Sequence, residues 1–262
     1  MLRIALVIAV ATISGVMNSI AGGGTLLTFP ALVGLGVPAT AANATSTVAL
    51  LPASMTSMFG YREELEGLLP WAGVFALPSI LGGAVGALLL SRTPPERFAL
   101  LVPWLVLGAT ALFVVQEPAM RAIRVRRPDR RAVSDEVRTA TLPSVAILLY
   151  QFLVSVYGGY FGAGAGILML AALGLMGLTN IHRMNGLKNW GGLCMNAVAA
   201  LMFGFSRLVN WPVALTMAAG AMVGGYVGSR AAQRVGQRAL RLAIIVIGLG
   251  SGIAMLVGEF QR

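Results

Sequence analysis

Charged residues are scarce in this chain. They make up 11% of its 262 residues, whereas an average soluble domain carries roughly a quarter. Because charged side chains cover much of a water-facing surface, this scarcity argues against a soluble globular protein. Cys194 is the only cysteine, which excludes a disulfide scaffold. The hydrophobic share of 57% excludes a disordered chain and predicts an integral membrane protein.

The side chains that catalysis requires are also missing from the apolar part of the sequence. His182 is the only histidine, and the nine carboxylates avoid the long apolar stretches except at their ends, at Glu117 and Glu259. A metal cluster, a Ser/His/Asp triad or an acid/base pair therefore cannot be assembled in a bilayer. We expect a protein that is not an enzyme and that has no catalytic residues, metal ligands or cofactor.

Ten apolar stretches divided by glycine and proline predict an all-α, polytopic membrane protein. A helix needs roughly 20 apolar residues to cross the hydrocarbon core, with about 17 as the lower limit. Residues 25–36, which contain Pro30, and residues 164–178 are short and irregular. The other eight stretches are long enough to span: 4–21, 40–60, 68–90, 98–117, 142–160, 184–205, 210–229 and 239–258.

The sequence repeats itself at a constant offset of 142 residues. Because one shift matches proline, asparagine and arginine as well as glycine, it predicts two homologous halves, 1–118 and 140–262, joined by an Arg-rich cytoplasmic linker, 119–139. A second set of matched glycines has no polar neighbours and predicts close helix packing. The shift superposes Asn43 on Asn185, Pro70 on Pro212, Arg92 on Arg234, Gly22 and Gly24 on Gly164 and Gly166, and the packing glycines Gly82, Gly83 and Gly86 on Gly224, Gly225 and Gly228.

The net charge of +10 is concentrated in short connectors, where bilayer topology explains it better than a nucleic-acid partner does. If each short Gly-rich stretch folds back as a re-entrant hairpin, the halves are inverted and both termini lie outside. That arrangement puts 13 arginines inside and 5 outside, whereas an even number of crossings in each half gives 11 and 7. The positive-inside rule favours inverted repeats, each with a Gly-rich broken or re-entrant helix.

The matched Gly-rich segments are candidates for a binding site. Inverted-repeat transporters place substrate between discontinuous helices whose N-termini present free backbone N–H groups. A helix that starts at Gly24 or Gly166 would direct a partial positive charge at an anion, and glycine leaves the backbone donors uncovered. Close helix packing is the alternative explanation. The predicted contacts are Gly22, Gly23, Gly24, Gly164 and Gly166.

Polar residues form a matched stripe on the helix that follows each Gly-rich segment. The stripe covers about a 100° arc of an otherwise apolar helix, and polar groups at membrane depth are costly unless they face a wet cavity or the bundle interior. We expect the two stripes to line one cavity, although hydrogen bonding between helices would also explain them. The predicted site residues are Asn43, Ser46 and Thr47 in the first half and Asn185, Lys188 and Asn189 in the second; Ser54 and Asn196 extend the stripes.

Lys188 is the only lysine in the chain. It could snorkel to the headgroups, but its place on the polar stripe favours an inward direction. A cation carrier would supply buried acids, and this chain has none to supply, so the basic residue, hydroxyls, amides and two Gly-rich helix starts together predict an anion site. The loop residue His182 could titrate near neutral pH, although an incidental role is the more common one.

The chain resembles the sulfite exporter TauE/SafE family of bacterial membrane permeases over essentially its whole length. The resemblance implies transport, often export, of sulfite or organosulfur anions such as sulfoacetate, and a multi-pass protein of the bacterial inner membrane. It is carried by Ser14-Gly15, residues 22–24 (GGG), Pro30 and residues 42–46 (ANATS) in the first half, and by residues 158–166 (GGYFGAGAG) and 185–189 (NGLKN) in the second.

The leading hypothesis is a secondary transporter of a small anion, either sulfite or an organosulfur or carboxylate anion. The halves would move against each other around the site, and both proton coupling and a homo-oligomer in the lipid bilayer are compatible with this layout. A passive anion channel would use the same cavity. A non-transporting membrane scaffold subunit would instead use the arginines of the linker to bind an acidic partner or anionic lipid.

Overall fold

The computed structural model describes residues 2–125, 143–175, 178, 180–231 and 238–260. These residues form helices joined by turns, which confirms the all-α class. A 3₁₀ turn, Glu63–Leu65, follows the third helix. The helices in chain order are α1 (Leu2–Ala21), α2 (Thr25–Gly34), α3 (Ala39–Gly60), α4 (Leu69–Arg92), α5 (Pro95–Val125), α6 (Val145–Tyr160), α7 (Ala165–Leu175), α8 (Ile181–Phe205), α9 (Trp211–Ala231) and α10 (Arg238–Phe260).

Helix ends follow local sequence signals. The chain leaves α2 through Gly36, whose φ of 88° lies in the left-handed region that favours glycine. Pro38 precedes the first residue of α3, since proline cannot donate the N–H that an earlier turn would need. At α8, the Asn180 side chain accepts hydrogen bonds from the amides of His182 and Arg183 at 2.9 and 3.3 Å, as an N-cap does. The two short helices α2 and α7 occupy the two stretches predicted to be irregular.

The helix order of the first half recurs in the second. Shifting α3 and α4 by 142 residues brings their first residues onto the first residues of α8 and α9. Contacts recur too: α1 packs along α9, and α6, the counterpart of α1, packs along α4. Likewise α3 packs on α9 as α8 packs on α4. Helices of each half therefore pack against helices of the other half, and the two halves share one buried interior.

The predicted linker falls largely outside the described residues. Helix α5 continues to Val125, past the predicted end of the first half at residue 118. The rest of the predicted linker, residues 126–139, lies outside the part of the chain that the structure describes, as do residues 140–142.

Within the described ranges, two helices are long and apolar enough, by length and composition, to cross a membrane. They are α4 and the Pro95–Leu112 part of α5. Large apolar side chains also face outward on other helices: Phe205 is 87% exposed, and Phe59 and Leu149 are exposed as well. A soluble monomer rarely shows so much exposed apolar surface, so the outside of this bundle suits lipid.

The glycines predicted to pack helices closely do so, and at matched positions. A Cβ atom built at Gly83 would lie 2.6 Å from the carbonyl oxygen of Met195 in α8. One built at Gly225 would lie 2.8 Å from the Cα of Ala53 in α3. The same 142-residue shift relates Gly83 to Gly225 and Ala53 to Met195. Backbone therefore meets backbone at two repeat-related crossings, and a side chain cannot be accommodated at either.

Gly83→Ala and Gly225→Ala should each lower the stability of the detergent-solubilised protein. Forcing a methyl group into packed backbone costs about 1–3 kcal/mol. Gly73→Ala is the control, because a Cβ at Gly73 meets nothing within 4 Å and alanine favours a helix interior by about 0.5–1 kcal/mol. Thermal unfolding followed by fluorescence-detected size exclusion measures all three. If Gly83→Ala and Gly225→Ala unfold at the same temperature as Gly73→Ala, the two helix crossings are not as tight as described.

Candidate functional site

Two glycine-rich turns meet near the centre of the fold. Gly22, between α1 and α2, has a φ of 74°, and its repeat counterpart Gly164, between α6 and α7, has a φ of 78°. A Cβ atom at Gly22 would lie only 2.5 Å from the Cα of Gly166. The turn before α2 thus touches the first turn of α7. Only glycine allows both the left-handed backbone and this close approach.

The starts of α2 and α7 lie beside one cavity. Helix α2 begins at Thr25, one residue after the predicted Gly24, and α7 begins at Ala165, one residue before the predicted Gly166. The first amides of a helix have no partner within the helix and carry a partial positive charge. No side chain caps α2 at Gly24. Several of these amides donate within the preceding turns, as Leu26 N–H does to the Gly23 carbonyl oxygen at 3.0 Å and Ala165 N–H does to the Gly162 carbonyl oxygen at 3.3 Å. The two helix starts therefore contribute mainly their partial positive charge to this space.

The cavity has a volume of about 30 Å³, which is room for a few water-sized groups. Polar side chains from α1, α3 and α8 line part of it, and Leu50, Met169 and Met195 line the rest. The lining residues are Asn18, Gly22, Thr25, Thr47, Leu50, Ser54, Gly162, Ala165, Gly166, Met169, Lys188, Asn189, Gly192, Met195 and Asn196.

Lys188 is the charged group of the cavity. Its side chain is 3% exposed, so it does not snorkel to a surface. The ammonium donates to the carbonyl oxygens of Asn18 at 3.2 Å and Ser19 at 2.9 Å, which belong to the last turn of α1. Carbonyls at a helix C-terminus carry a partial negative charge and so stabilise the cation in part.

No carboxylate balances Lys188 within the part of the chain that the structure describes, where the one ion pair joins Arg62 and Glu63 at 4.0 Å. A buried charge without a counter-ion is costly. The ammonium has three N–H donors, and the two carbonyls account for two of them. A third donor and an unbalanced positive charge remain beside the cavity, which is what an anion would need.

Two amides hold the same end of α1. Asn189 donates to the Ser19 carbonyl oxygen at 3.2 Å, and Asn18 donates to the Ser54 hydroxyl at 3.2 Å. Thr47 donates to the Asn43 carbonyl oxygen at 3.0 Å, so its hydroxyl oxygen can still accept. The bonds of Asn189 and Asn18 tie α1 to α8 and α3 at the edge of the cavity.

The structure places five of the predicted site residues in the cavity lining: Gly22, Thr47, Gly166, Lys188 and Asn189. The other six are buried nearby but lie outside this lining: Gly23, Gly24, Asn43, Ser46, Gly164 and Asn185. Their role in binding stays a prediction.

Contacts between helices account for most of those six. Asn43 donates to the Tyr160 carbonyl oxygen at 2.9 Å, and the Ser46 hydroxyl hydrogen-bonds the Thr28 hydroxyl. A Cβ at Gly24 would lie 2.6 Å from the Ser14 carbonyl oxygen, and one at Gly164 would lie 3.5 Å from Ala109. The polar stripe is therefore divided, since one part faces the cavity and another part joins neighbouring helices. The Oδ1 atom of Asn185 is buried without a hydrogen-bond partner among the described residues.

Sequence reasoning missed several lining residues. Asn18 could have been found, because it is an amide inside the apolar stretch 4–21. Thr25 follows the glycine run directly and was a weaker signal. Met169 and Met195 gave no sequence signal for the site, since methionine is common in the core of an apolar helix. Among the described residues, no group of three His, Cys, Asp or Glu side chains could hold a metal ion.

Comparison with known proteins gives one family match and several relatives. The family model described as "Sulfite exporter TauE/SafE" matches residues 7–255. The chain is 28% identical to "Probable membrane transporter protein ORF9" of Sinorhizobium sp over 256 residues, which is 97% of this chain and 92% of the relative. It is 25% identical to a "Probable membrane transporter protein" of Haemophilus influenzae, over 93% of this chain and 91% of the relative. It is 28% identical to "Probable membrane transporter protein YfcA" of Escherichia coli K12, over 91% of this chain and 84% of the relative. No solved structure gives a significant match.

Proposed function

Because the chain belongs to the sulfite exporter TauE/SafE family, we propose that this membrane transporter is a secondary carrier of a small anion that binds in the cavity beside Lys188. One observation carries the proposal: a buried ammonium without a carboxylate partner in the described part of the chain borders a cavity that also receives two helix starts. We place the carrier in the bacterial inner membrane as a multi-pass protein.

Anion binding would replace the water around the ligand with fixed donors. The third N–H of Lys188, the second N–H of the Asn189 amide and the partial positive charge at the starts of α2 and α7 all favour a negatively charged ligand. A monovalent cation would meet the ammonium at close range and be repelled. Leu50, Met169 and Met195 would contact an apolar part of the ligand, so small organosulfur or carboxylate anions are candidates beside sulfite.

Movement of the anion would follow from the two-half architecture. The halves meet at the cavity, through the contact of Gly22 with Gly166 and through the bonds of Lys188 to α1. If the repeats are inverted, a small rotation of one half against the other opens the cavity first to one side and then to the other. The site would stay in place while access to it changes.

Counterflow in proteoliposomes tests this function. Vesicles are loaded with unlabelled sulfite or sulfoacetate, and labelled anion is added outside at equal pH, with valinomycin and potassium holding the membrane potential at zero. A carrier should take up label transiently above its equilibrium level, because exchange is faster than net loss. Protein-free vesicles are the control. Simple equilibration without overshoot would support a passive channel, and no flux of either anion from folded protein would contradict the proposal.

A further inference from the structure

The two halves line the cavity differently at one pair of repeat-matched positions. The 142-residue shift superposes Leu50 of α3 on Gly192 of α8, and both residues line the cavity. Leu50 is 3% exposed, and a Cβ atom built at Gly24 would lie 3.3 Å from its Cδ1 atom. In the first half, a leucine side chain therefore packs beside the glycine-rich turn.

The second half leaves the equivalent position open. Gly166 is the repeat counterpart of Gly24, and it lines the cavity together with Gly192. A Cβ atom built at Gly192 would meet nothing within 4 Å. The cavity thus extends to the place where the other half carries a leucine side chain.

Gly192 lies on the cavity face of α8. It follows Lys188 by four residues, so both lie on one side of the helix, about 6 Å apart along its axis. Gly191 faces a packed side instead, because a Cβ atom there would lie 3.2 Å from the amide nitrogen of Gln151. Lys188 is buried and Gly192 is partly exposed. The ammonium therefore lies at an enclosed part of the cavity, and Gly192 lies at a more accessible part.

The cavity has an apolar wall as well as a charged group. Leu50, Met169 and Met195 line it, and each is at most 3% exposed. An anion whose charged group lies at Lys188 would direct its remaining atoms along α8 toward Gly192. Sulfite has no such atoms, whereas the carbon chain of an organic anion would be stabilised by burial against apolar side chains.

We propose that Gly192 determines the specificity of this site, because the space beside it admits anions that carry an apolar body and are larger than sulfite. The ligand class is an organic sulfonate or carboxylate, with its charged group at Lys188 and a short carbon chain along Gly192. This inference rests on the proposed function for the position of the charged group. A side chain at position 192 would shorten the site and restrict it to small anions.

Alkanesulfonates of increasing length test the shape of the site. Methane-, ethane- and propanesulfonate carry the same charge and differ only in the carbon chain. Isothermal titration calorimetry on the detergent-solubilised protein measures their affinities without requiring transport. For the unmodified protein we expect affinity to rise about fourfold for each added methylene that is buried. Affinity that stays constant or falls with chain length would overturn the proposal.

Gly192→Ala and Gly192→Leu should shorten the longest chain that the site accepts. Alanine should lower propanesulfonate affinity at least about tenfold, the scale of one methylene in a pocket, and leave methanesulfonate affinity within about twofold. Leucine, the residue at the matched position 50, should extend the loss to ethanesulfonate. Because nothing lies within 4 Å of a Cβ at Gly192 and alanine favours a helix interior, Gly192→Ala should unfold at no lower temperature than the unmodified protein.

Gly73→Ala and Gly73→Leu are the matched controls. Gly73 also lies inside a helix with nothing within 4 Å of its Cβ, but it is outside the cavity lining. Both control variants should bind all three sulfonates with unmodified affinity.

Two results with folded Gly192→Ala would contradict the role of Gly192. One is unmodified affinity for all three sulfonates, and the other is an equal loss for methanesulfonate and propanesulfonate. Counterflow of the same anions separates this proposal from the proposed function. Chain-length-dependent binding without counterflow would contradict the carrier and leave the specificity of Gly192 in place, whereas binding of none of the three sulfonates by the unmodified protein would overturn that specificity.

Discussion

Lys188→Met should abolish high-affinity anion transport while the protein remains folded. The methionine keeps an unbranched apolar stem in the buried site and removes the positive charge. A hydrogen bond to a charged group contributes about 1.5–3 kcal/mol, so anion affinity should fall about 10- to 150-fold. Lys188 has no carboxylate partner among the described residues, so its replacement leaves no opposite charge unpaired and removes the cost of burying the ammonium. We therefore expect an unchanged or higher melting temperature in detergent.

Saturation of sulfite and sulfoacetate counterflow measures this loss, and thermal unfolding reports on the fold. Arg92→Met is the matched control, because it removes one positive charge from an exposed residue at the end of α4. That variant should transport with unmodified affinity. Unchanged anion affinity in folded Lys188→Met would remove Lys188 from the binding site, whereas a collapse of folding would assign the ammonium a structural role at the end of α1.

Gly22→Ala should be strongly damaging for so small a substitution. The left-handed φ of 74° costs a residue with a Cβ about 1–2 kcal/mol. The new methyl group would also lie 2.5 Å from the Cα of Gly166, and such overpacking adds about 1–3 kcal/mol. Because the clash separates the turn before α2 from the start of α7, transport should be lost as well as stability.

Two glycines of the same region provide controls for the two effects. Gly36 also has a positive φ, of 88°, but a Cβ there meets nothing within 4 Å, and the same is true of Gly34 in α2. Gly36→Ala should therefore show the backbone cost alone, and Gly34→Ala neither cost. Thermal unfolding and counterflow are measured for all three variants. If Gly22→Ala is as mild as Gly36→Ala, the contact between the two turns does not matter for function.

The two halves contribute differently to the site, which the sequence repeat alone does not suggest. The stripe positions Asn43, Ser46 and Thr47 match Asn185, Lys188 and Asn189 in sequence, so equivalent roles were expected. In the structure Lys188 and Asn189 bind the end of α1 beside the cavity, whereas Ser46 bonds Thr28 and Asn43 bonds the end of α6. One half supplies the charge, and the other half supplies contacts between helices.

The sequence by itself determined the helix content, the positions of the short helices, the repeat and the close-packing glycines. These features follow from local physics: apolar length, helix-ending glycine and proline, and the absence of a Cβ where backbones cross. The choice of Lys188 and the anionic charge of the predicted ligand also came from sequence, because one lysine in a chain without buried acids needs no coordinates to be noticed.

Only the tertiary structure decided which polar residues face the cavity. Asn43 and Thr47 are one turn apart on the same face of α3, so helix periodicity cannot separate them. Their neighbours in the fold distinguish the two residues, because Asn43 donates to the end of α6 whereas Thr47 lines the cavity. The contact of Gly22 with Gly166 and the carbonyls that hold Lys188 join residues that lie far apart in the sequence. Such contacts depend on how helices cross, and helix crossing is a property of the packed bundle rather than of any one segment.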